Sequence, residues 1–252
     1  MSSARVALEV EAGVGVLTLR GDNALNLYDL AMRDALIEAL AAIAAHPDAR
    51  AVVLRSEGPS FSAGADLSEF GTAPSVLEAR RIRWDRDPWT PLWELPQPTV
   101  ACLKGHALGA GLEMALLCDL RLAAPDTRLG LPETKLGMLP SAGGTQGLLR
   151  VAGSARALAL VLSATTITAD EAAELGVVQR VCDDVDAAGM EVAARLAATP
   201  PGPLRAARRA LRAAADLPLP LGLDAERALA QASGASAAHV SAIDAQGSSP
   251  TG

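Results

Sequence analysis

Hydrophobic patterns typical of helices and of strands alternate along the first two-thirds of the chain. Apolar residues recur at helical spacing from Leu27 to Ala45, and Pro47 ends this predicted helix. Short apolar runs predict strands, the first two joined by a turn at Ala12–Gly13. The main runs are Val6–Val10, Val14–Leu19, Ala51–Leu54, Thr99–Leu103, Leu120–Ala123 and Val177–Val181. This alternation predicts an α/β fold.

Helical patterns dominate the last third of the chain. Helices are predicted near residues 154–162, 169–175, 185–198, 203–215 and 223–231. We therefore expect an α/β core over residues 1–154 and a helical C-terminal region over 155–232. Residues 233–252 are rich in Ser, Ala and Gly and are predicted to form a loose tail.

Composition narrows the classes of function. Half of the 252 residues are hydrophobic, enough for a sizeable core, while only 2% are aromatic. The net charge of −7 argues against binding nucleic acid through bulk charge. Charged or polar residues, among them Lys104 and Glu113, interrupt the best membrane-span candidate. We predict a cytoplasmic protein with neither a nucleic-acid nor a membrane partner.

Cysteines and histidines do not indicate a metal site. No CxxC pair occurs, and no two of the three histidines have metal-ligand spacing. Cys102 and Cys118 lie in apolar runs and are predicted to be reduced core residues.

The stretch from Gly105 to Asp119 carries the strongest chemical signal. A strand-like run leads into a glycine turn and then into an apolar helix that contains Glu113. A carboxylate in such a place is costly unless it is paired, protonated or used in a reaction. The free N–H groups at the helix start suit an oxygen that becomes negative. The alternative for Glu113 is a structural salt bridge with Arg121 or Lys104.

Three familiar motifs are absent from this turn. It has no Gly-Lys-Ser/Thr phosphate loop and no GxGxxG fingerprint, and the chain has no GxSxG nucleophile. The arginines of residues 205–212 are either a solvated helix face or a contact for phosphates.

Three blocks in this order resemble the enoyl-CoA hydratase (crotonase) family: SEGPSFSAGADLSEF, PTVACLKGHALGAGLEMALLCDLRLA and LPETKLGMLPSAGGTQ. The resemblance covers about residues 6–231. It implies a spiral of ββα units whose helical C-terminal region forms homotrimers or dimers of trimers. It also implies an acyl-CoA thioester as the substrate, in reactions such as those of fatty acid metabolism.

The resemblance implies a role for several residues. The backbone N–H groups of Ala65 and Ala110 would hold the thioester oxygen as it becomes an enolate. Glu113 would orient and deprotonate water, and Glu133 would protonate C2. No metal or separate cofactor is implied, because coenzyme A is part of the substrate. The implied substrate-binding residues are Ala24, Ala63, Asp66, Leu67, Gly109 and Gly144.

The sequence departs from the family pattern at four positions. Ala110 replaces the middle one of three glycines, which requires a negative φ there. Asn23 and Ser68 stand where basic residues are common, and Ser141 stands where glycine is common. Arg208 or Arg209 is a candidate source of the missing positive charge, across a subunit boundary.

Other readings remain open. A double-bond isomerase of the same family would need only Glu133, and a third possibility is a non-catalytic relative that binds CoA or RNA. By resemblance, Trp84, Trp89 and Trp93 lie on the segment that lines the acyl pocket. They are explained either by core and interface packing or as a wall for a bulky acyl group.

Overall fold

The computed structural model describes residues 5–234, without the side chains of residues 82–84 and 234. Most of the predicted tail lies outside the described residues; its first two, Ser233 and Gly234, end the last helix. The strands are β1 (Val6–Glu11), β2 (Val14–Leu19), β3 (Ala51–Ser56), β4 (Thr99–Leu103), β5 (His106–Leu108), β6 (Leu120–Ala123), β7 (Arg128–Gly130), β8 (Ile167–Thr168) and β9 (Arg180–Val181).

Ten α-helices are described in the same range. They are α1 (Leu30–Ala44), α2 (Val76–Trp84), α3 (Trp89–Glu94), α4 (Ala110–Leu117), α5 (Gly144–Ala152), α6 (Ser154–Ser163), α7 (Ala169–Glu174), α8 (Val185–Ala198), α9 (Pro201–Ala214) and α10 (Leu219–Gly234). Two short 3-10 helices cover Leu67–Glu69 and Pro132–Leu136. None of the described helices is long and apolar enough to cross a membrane.

Six strands form the main sheet in the order β1-β2-β3-β4-β6-β9. β1 and β2 form the predicted hairpin with Val6 opposite Leu19, and the other neighbours in this sheet are parallel. A second sheet has the order β5-β7-β8. The central parallel strands β3 and β4 are almost wholly buried, as expected when helices cover a parallel sheet. The predicted α/β fold is confirmed.

Three details differ from the prediction. Helix α1 begins at Leu30 rather than Leu27, because Tyr28 pairs with Ala65 in a β-bridge and Asp29 caps the helix. Strands β5 and β8 were not predicted, since each has at most three residues. The predicted strand at residues 177–181 is reduced to β9, its last two residues.

The chain divides into two compact units, Met1–Ala194 and Arg195–Gly252. The first unit holds both sheets, and in the second α9 packs against α10. The division at residue 154 stays a prediction. Cys102 and Cys118 are buried and form no disulfide among the described residues, in agreement with the predicted reduced state, and burial raises the pKa of the Cys102 thiol to about 12.

Candidate active site

The FSAGAD turn follows β3 and runs beside the chain that enters β5. The Phe61 N–H donates to the Lys104 carbonyl at 2.8 Å. Ser62 exchanges two hydrogen bonds with this strand, donating to His106 at 2.9 Å and accepting from Leu108 at 3.0 Å. The first two blocks of the sequence are thus held side by side by main-chain hydrogen bonds.

The opposite edge of the FSAGAD turn pairs with the segment before α1. Tyr28 donates to the Gly64 carbonyl at 2.8 Å and accepts from the Asp66 N–H at 2.9 Å. Tyr28 thus bonds to the two residues that flank Ala65. In a parallel bridge, the N–H and C=O of such a flanked residue point to the opposite side of its strand, away from the bridge partner. The N–H of Ala65 therefore points away from Tyr28.

The glycine turn before α4 needs glycine at two positions. Gly109 has φ 49° and ψ −125°, a conformation that an L residue rarely adopts. A Cβ on Gly111 would lie 2.8 Å from the Ser62 Cβ, so a side chain does not fit there. Ala110 is the first residue of α4 and is not among the described residues with positive φ. The alanine at this position is therefore tolerated.

The N–H groups of Ala65 and Ala110 lie in the two turns that approach one another. A Cβ built on Gly64 would be 3.0 Å from the Leu108 carbonyl oxygen and 3.7 Å from the Ala110 nitrogen. Within residues 5–234, neither N–H donates a hydrogen bond to a protein acceptor. Ala110 also begins a helix, whose N-terminus carries partial positive charge. These features suit a ligand oxygen that gains negative charge.

Glu113 is buried one turn into α4, with 3% of its surface exposed. Its Oε1 accepts from the Ala142 N–H at 2.8 Å and from the Gly144 N–H at 2.9 Å. The salt bridge considered from sequence is wrong. Lys104 pairs with Asp186 at 3.0 Å, and Arg121 donates to main-chain carbonyls. These two N–H donors, just before and at the start of α5, orient the Glu113 carboxyl group.

Gly144 makes this contact possible. A Cβ at this position would lie 2.8 Å from the Glu113 Cγ and 2.9 Å from its Oε1. The preceding residue, Gly143, has φ 101°, so the chain needs glycine twice in succession. Gly144 thus packs against a proposed catalytic side chain, and its predicted contact with substrate stays a prediction.

Glu133 lies beside the glycine turn that precedes α4. It lies in the Pro132–Leu136 3-10 helix, where Pro132 occupies a position that needs no N–H donor. Its Oε1 is 2.9 Å from the place that a Cβ on Gly109 would take. Its Oε2 is buried without a hydrogen-bond partner among the described residues.

The environment of Glu133 favours a protonated carboxyl group. Burial raises the pKa of Glu133 to about 7, the nearby Glu113 charge adds to this rise, and a main-chain hydrogen bond opposes it. The site therefore holds two carboxyl groups in different surroundings, one with two N–H donors and one with a buried, unpaired oxygen. Such a pair can divide the roles of base and acid.

The remaining predicted substrate-binding residues lie along the same two segments. Ala63 donates to the Leu25 carbonyl at 2.8 Å, beside the exposed Ala24. Asp66 caps the next 3-10 helix, and its hydrogen bonds from Ser68 lower the pKa of Asp66. Leu67 is 51% exposed. The structure thus brings these residues next to Ala65, while their contact with CoA stays a prediction.

Two of the three tryptophans can be placed. Trp89 is half-buried and lies against Tyr28, with ring centroids 5.0 Å apart and an angle of 40° between the planes. Trp93 is half-buried as well, and the Trp84 side chain lies outside the described part. Trp89 therefore packs beside the segment that borders Ala65. Arg208 and Arg209 belong to α9 in the second unit, and their predicted phosphate role stays a prediction.

Sequence reasoning missed Asn26 and Tyr28, which hold the Ala65 turn from outside. The sequence gives one indirect signal: Asn26 and Tyr28 lie close to Ala24, for which the family resemblance implies a contact with substrate. Within the described residues, no three His, Cys, Asp or Glu side chains are grouped as a metal site requires.

The fold and the site together define a class of protein. It is an α/β scaffold in which two main-chain N–H groups, without a protein acceptor among residues 5–234, lie near two carboxyl groups. A family described as enoyl-CoA hydratase/isomerase matches residues 9–245, and the chain belongs to this family of enzymes.

Known relatives extend the likeness over most of the chain. A probable enoyl-CoA hydratase of Rhodobacter capsulatus is 34% identical over 91% of this chain and 89% of its own. The 2,3-dehydroadipyl-CoA hydratase of Escherichia coli is 36% identical over 85% and 84%. A solved enoyl-CoA hydratase from Bacillus anthracis is 32% identical, covers 90% of each chain and has a TM-score of 0.85. The predicted crotonase-type spiral fold is confirmed.

Proposed function

We propose that the protein hydrates 2-enoyl-CoA thioesters, adding water across the C2–C3 double bond. The observation that carries the proposal is the pair of glutamates in contrasting surroundings. Glu113 accepts N–H hydrogen bonds from Ala142 and Gly144, while Glu133 lies beside Gly109, close enough for the Glu113 charge to raise its pKa. The hydratase names of the relatives support the same reaction.

In the proposed mechanism, the Glu113 carboxylate removes a proton from water as the water oxygen attacks C3. The electrons of the double bond move toward the thioester oxygen, which becomes an enolate oxygen. The N–H groups of Ala65 and Ala110 stabilise this oxygen, and the loss of one such donor typically costs about 3 kcal/mol. Glu133 then gives its proton to C2, which completes the addition of one water.

The division of roles follows from the surroundings of each carboxyl group. Glu113 accepts two N–H hydrogen bonds through Oε1, which orient it. A pKa of about 7 leaves much of Glu133 protonated near neutral pH, as a proton donor must be.

The test is a hydration assay on crotonyl-CoA, followed by loss of the conjugated thioester absorbance. We expect Glu113→Gln and Glu133→Gln each to lower kcat by about 100- to 10,000-fold, the usual contribution of a positioned acid or base. Glu38→Gln, on the exposed face of α1, is the control and should keep full activity. A wild-type protein without hydratase activity, or two active variants, would contradict the proposal.

A double-bond isomerase is the second candidate. The unpaired Oε2 of Glu133 favours it, because a single carboxyl group that exchanges its proton could serve both C2 and C4. If the wild type interconverts 3-enoyl-CoA and 2-enoyl-CoA without hydrating either, and only Glu133→Gln abolishes this, the isomerase is supported instead.

A further inference from the structure

Asn26 lies where the loop after β2 meets the loop after β3. Its side chain is almost wholly buried, with 2% exposed, and its φ is 49°. Most L residues avoid the left-handed region, although asparagine enters it more readily than others. A buried amide in a left-handed conformation is therefore maintained by its surroundings.

The Asn26 carboxamide joins the two loops through three hydrogen bonds. Its Oδ1 accepts from the Gly21 N–H. Its Nδ2 donates to the carbonyls of Glu57 and Ser60, each at 2.9 Å. A Cβ on Gly21 would lie 2.7 Å from both the Cα and the Oδ1 of Asn26, so glycine is required at position 21.

Both ends of this connection lead to Ala65. After Asn26, Tyr28 holds Gly64 and Asp66 on either side of Ala65; before it, the Leu25 carbonyl accepts from Ala63. Beyond Ser60, the chain enters the FSAGAD turn directly. The hydrogen bonds of Asn26 thus fix the spacing between the strand that borders Ala65 and the loop that leads into it.

We infer that Asn26 is a positioning residue for the Ala65 N–H: its carboxamide sets the direction of this donor toward the substrate oxygen without touching substrate. The inference rests on the oxyanion role of Ala65 in the proposed function. A misplacement of about 1 Å can cost about 100-fold in rate, so a residue of this kind can control kcat from outside the site.

Gln97 provides a matched control for a purely structural amide. It is also 2% exposed, and its Nε2 donates to the carbonyls of Ile43 at 3.0 Å and Ala49 at 3.3 Å. These contacts lie at the N-terminal end of β3, whereas the proposed site lies beyond its C-terminal end. Loss of either amide should lower stability, but only loss of the Asn26 amide should change the site.

The experiment compares Asn26→Gly, Asn26→Asp and Gln97→Leu with the full-length wild type. Glycine accepts the left-handed φ, and aspartate keeps the Oδ1 acceptor but loses both donors. The main readout is the infrared carbonyl frequency of bound butyryl-CoA, which falls when N–H groups bind the thioester oxygen and needs no turnover. The others are kcat on crotonyl-CoA, the dissociation constant of free CoA, and the melting temperature.

We expect both Asn26 variants to lose most of the carbonyl shift and about 10- to 100-fold in kcat. Their affinity for free CoA, which has no thioester oxygen, should change less than about threefold. Gln97→Leu should lower the melting temperature yet keep the carbonyl shift and kcat.

Three results would overturn the inference. One is a full carbonyl shift in folded Asn26 variants, whether or not the enzyme hydrates crotonyl-CoA. Another is the absence of any shift in the wild type. The third is failure of both Asn26 variants to fold while Gln97→Leu folds, which would make Asn26 a residue of the fold alone. An inactive wild type that still shows the shift and its loss in Asn26→Gly would refute the hydratase proposal and leave this inference standing.

Discussion

The carboxyl group of Glu133 has one buried oxygen that no described residue contacts by a hydrogen bond, and it lies close to the charge of Glu113. Burial is the main cause of its raised pKa, since a carboxylate loses hydration there and only one main-chain hydrogen bond offsets the loss. At the scale of the residue, the protonation of Glu133 should therefore limit the reaction.

The pH dependence follows from this pKa. Hydration needs protonated Glu133, whose pKa is raised to about 7, so kcat/KM should fall as pH rises through about 7. Well above that pH the decline should approach tenfold per pH unit, as for any single essential acid. The measurement is kcat/KM on crotonyl-CoA as a function of pH, from about 5 to about 9, a range that brackets the expected pKa of about 7.

Glu133→Gln is the control for this profile, because its small residual rate should lack the fall near pH 7. If kcat/KM of the wild type stays constant up to about pH 9, Glu133 is not the proton donor.

At the scale of the element, the glycine turn before α4 serves three groups at once. Gly109 supplies the positive φ, its missing Cβ leaves room for Glu133, and Ala110 begins the helix. A single added methyl group should therefore disturb both the oxyanion donor and the acid.

We predict that Gly109→Ala lowers kcat by about 100-fold, because a Cβ there would lie 2.9 Å from the Glu133 Oε1. Gly153→Ala is the matched control, since Gly153, between α5 and α6, has φ +77° and nothing within 4 Å of an added Cβ. Both variants should lose about 1–2 kcal/mol of stability from the left-handed backbone. Urea melts and crotonyl-CoA assays separate the two effects, and equal activity in both variants would contradict the prediction.

Much of this element structure could be predicted from sequence, and the failures have local causes. The hairpin, β3, β4 and α4 were predicted because each has a continuous apolar pattern. β5 has only three residues after Gly105, too few for a period to appear. Its partner in β7 lies 22 residues further along, as in the pair His106 and Arg128, and that pairing is a tertiary contact. The start of α1 is also set by a tertiary contact, because the bridge between Tyr28 and Ala65 moves it to Leu30.

The candidate site was predictable in a different way. The cost of burying Glu113 singled it out, but its N–H donors, Ala142 and Gly144, are about 30 residues away in sequence. Glu133, Ala65 and Ala110 carried no signal of their own and entered only through the family resemblance. Asn26 was missed because asparagine is common in turns, so its presence in one does not by itself indicate a functional role.

At the scale of the whole molecule, the first unit leaves a group of leucines in solvent. Leu158 and Leu162 are one helical turn apart on α6 and are 55% and 73% exposed. Leu136, which ends the 3-10 helix that contains Glu133, is 54% exposed, and Leu139 in the following loop is 63% exposed. Exposed apolar groups of this kind favour a subunit contact.

We predict a homotrimer or a dimer of trimers, in line with the family resemblance. Leu162→Glu should weaken it by placing a charge in the contact, which sedimentation velocity or light scattering would show as smaller particles. Val76→Glu is the control, because Val76 is 77% exposed on α2, away from these leucines in sequence. A wild type that sediments as a monomer would contradict the prediction.

The proposed oxygen-binding groups belong to the main chain of Ala65 and Ala110, and this has a consequence for the history of such a gene. A single codon change at either position replaces a methyl group but leaves the N–H in place, unless it introduces proline. Point mutations that abolish the activity should therefore be found mainly at the two glutamates, at the glycines and at Asn26. In a lineage that no longer needs the reaction, changes at those codons should reveal the loss of selection, while changes at the codons for the two alanines should reveal almost nothing.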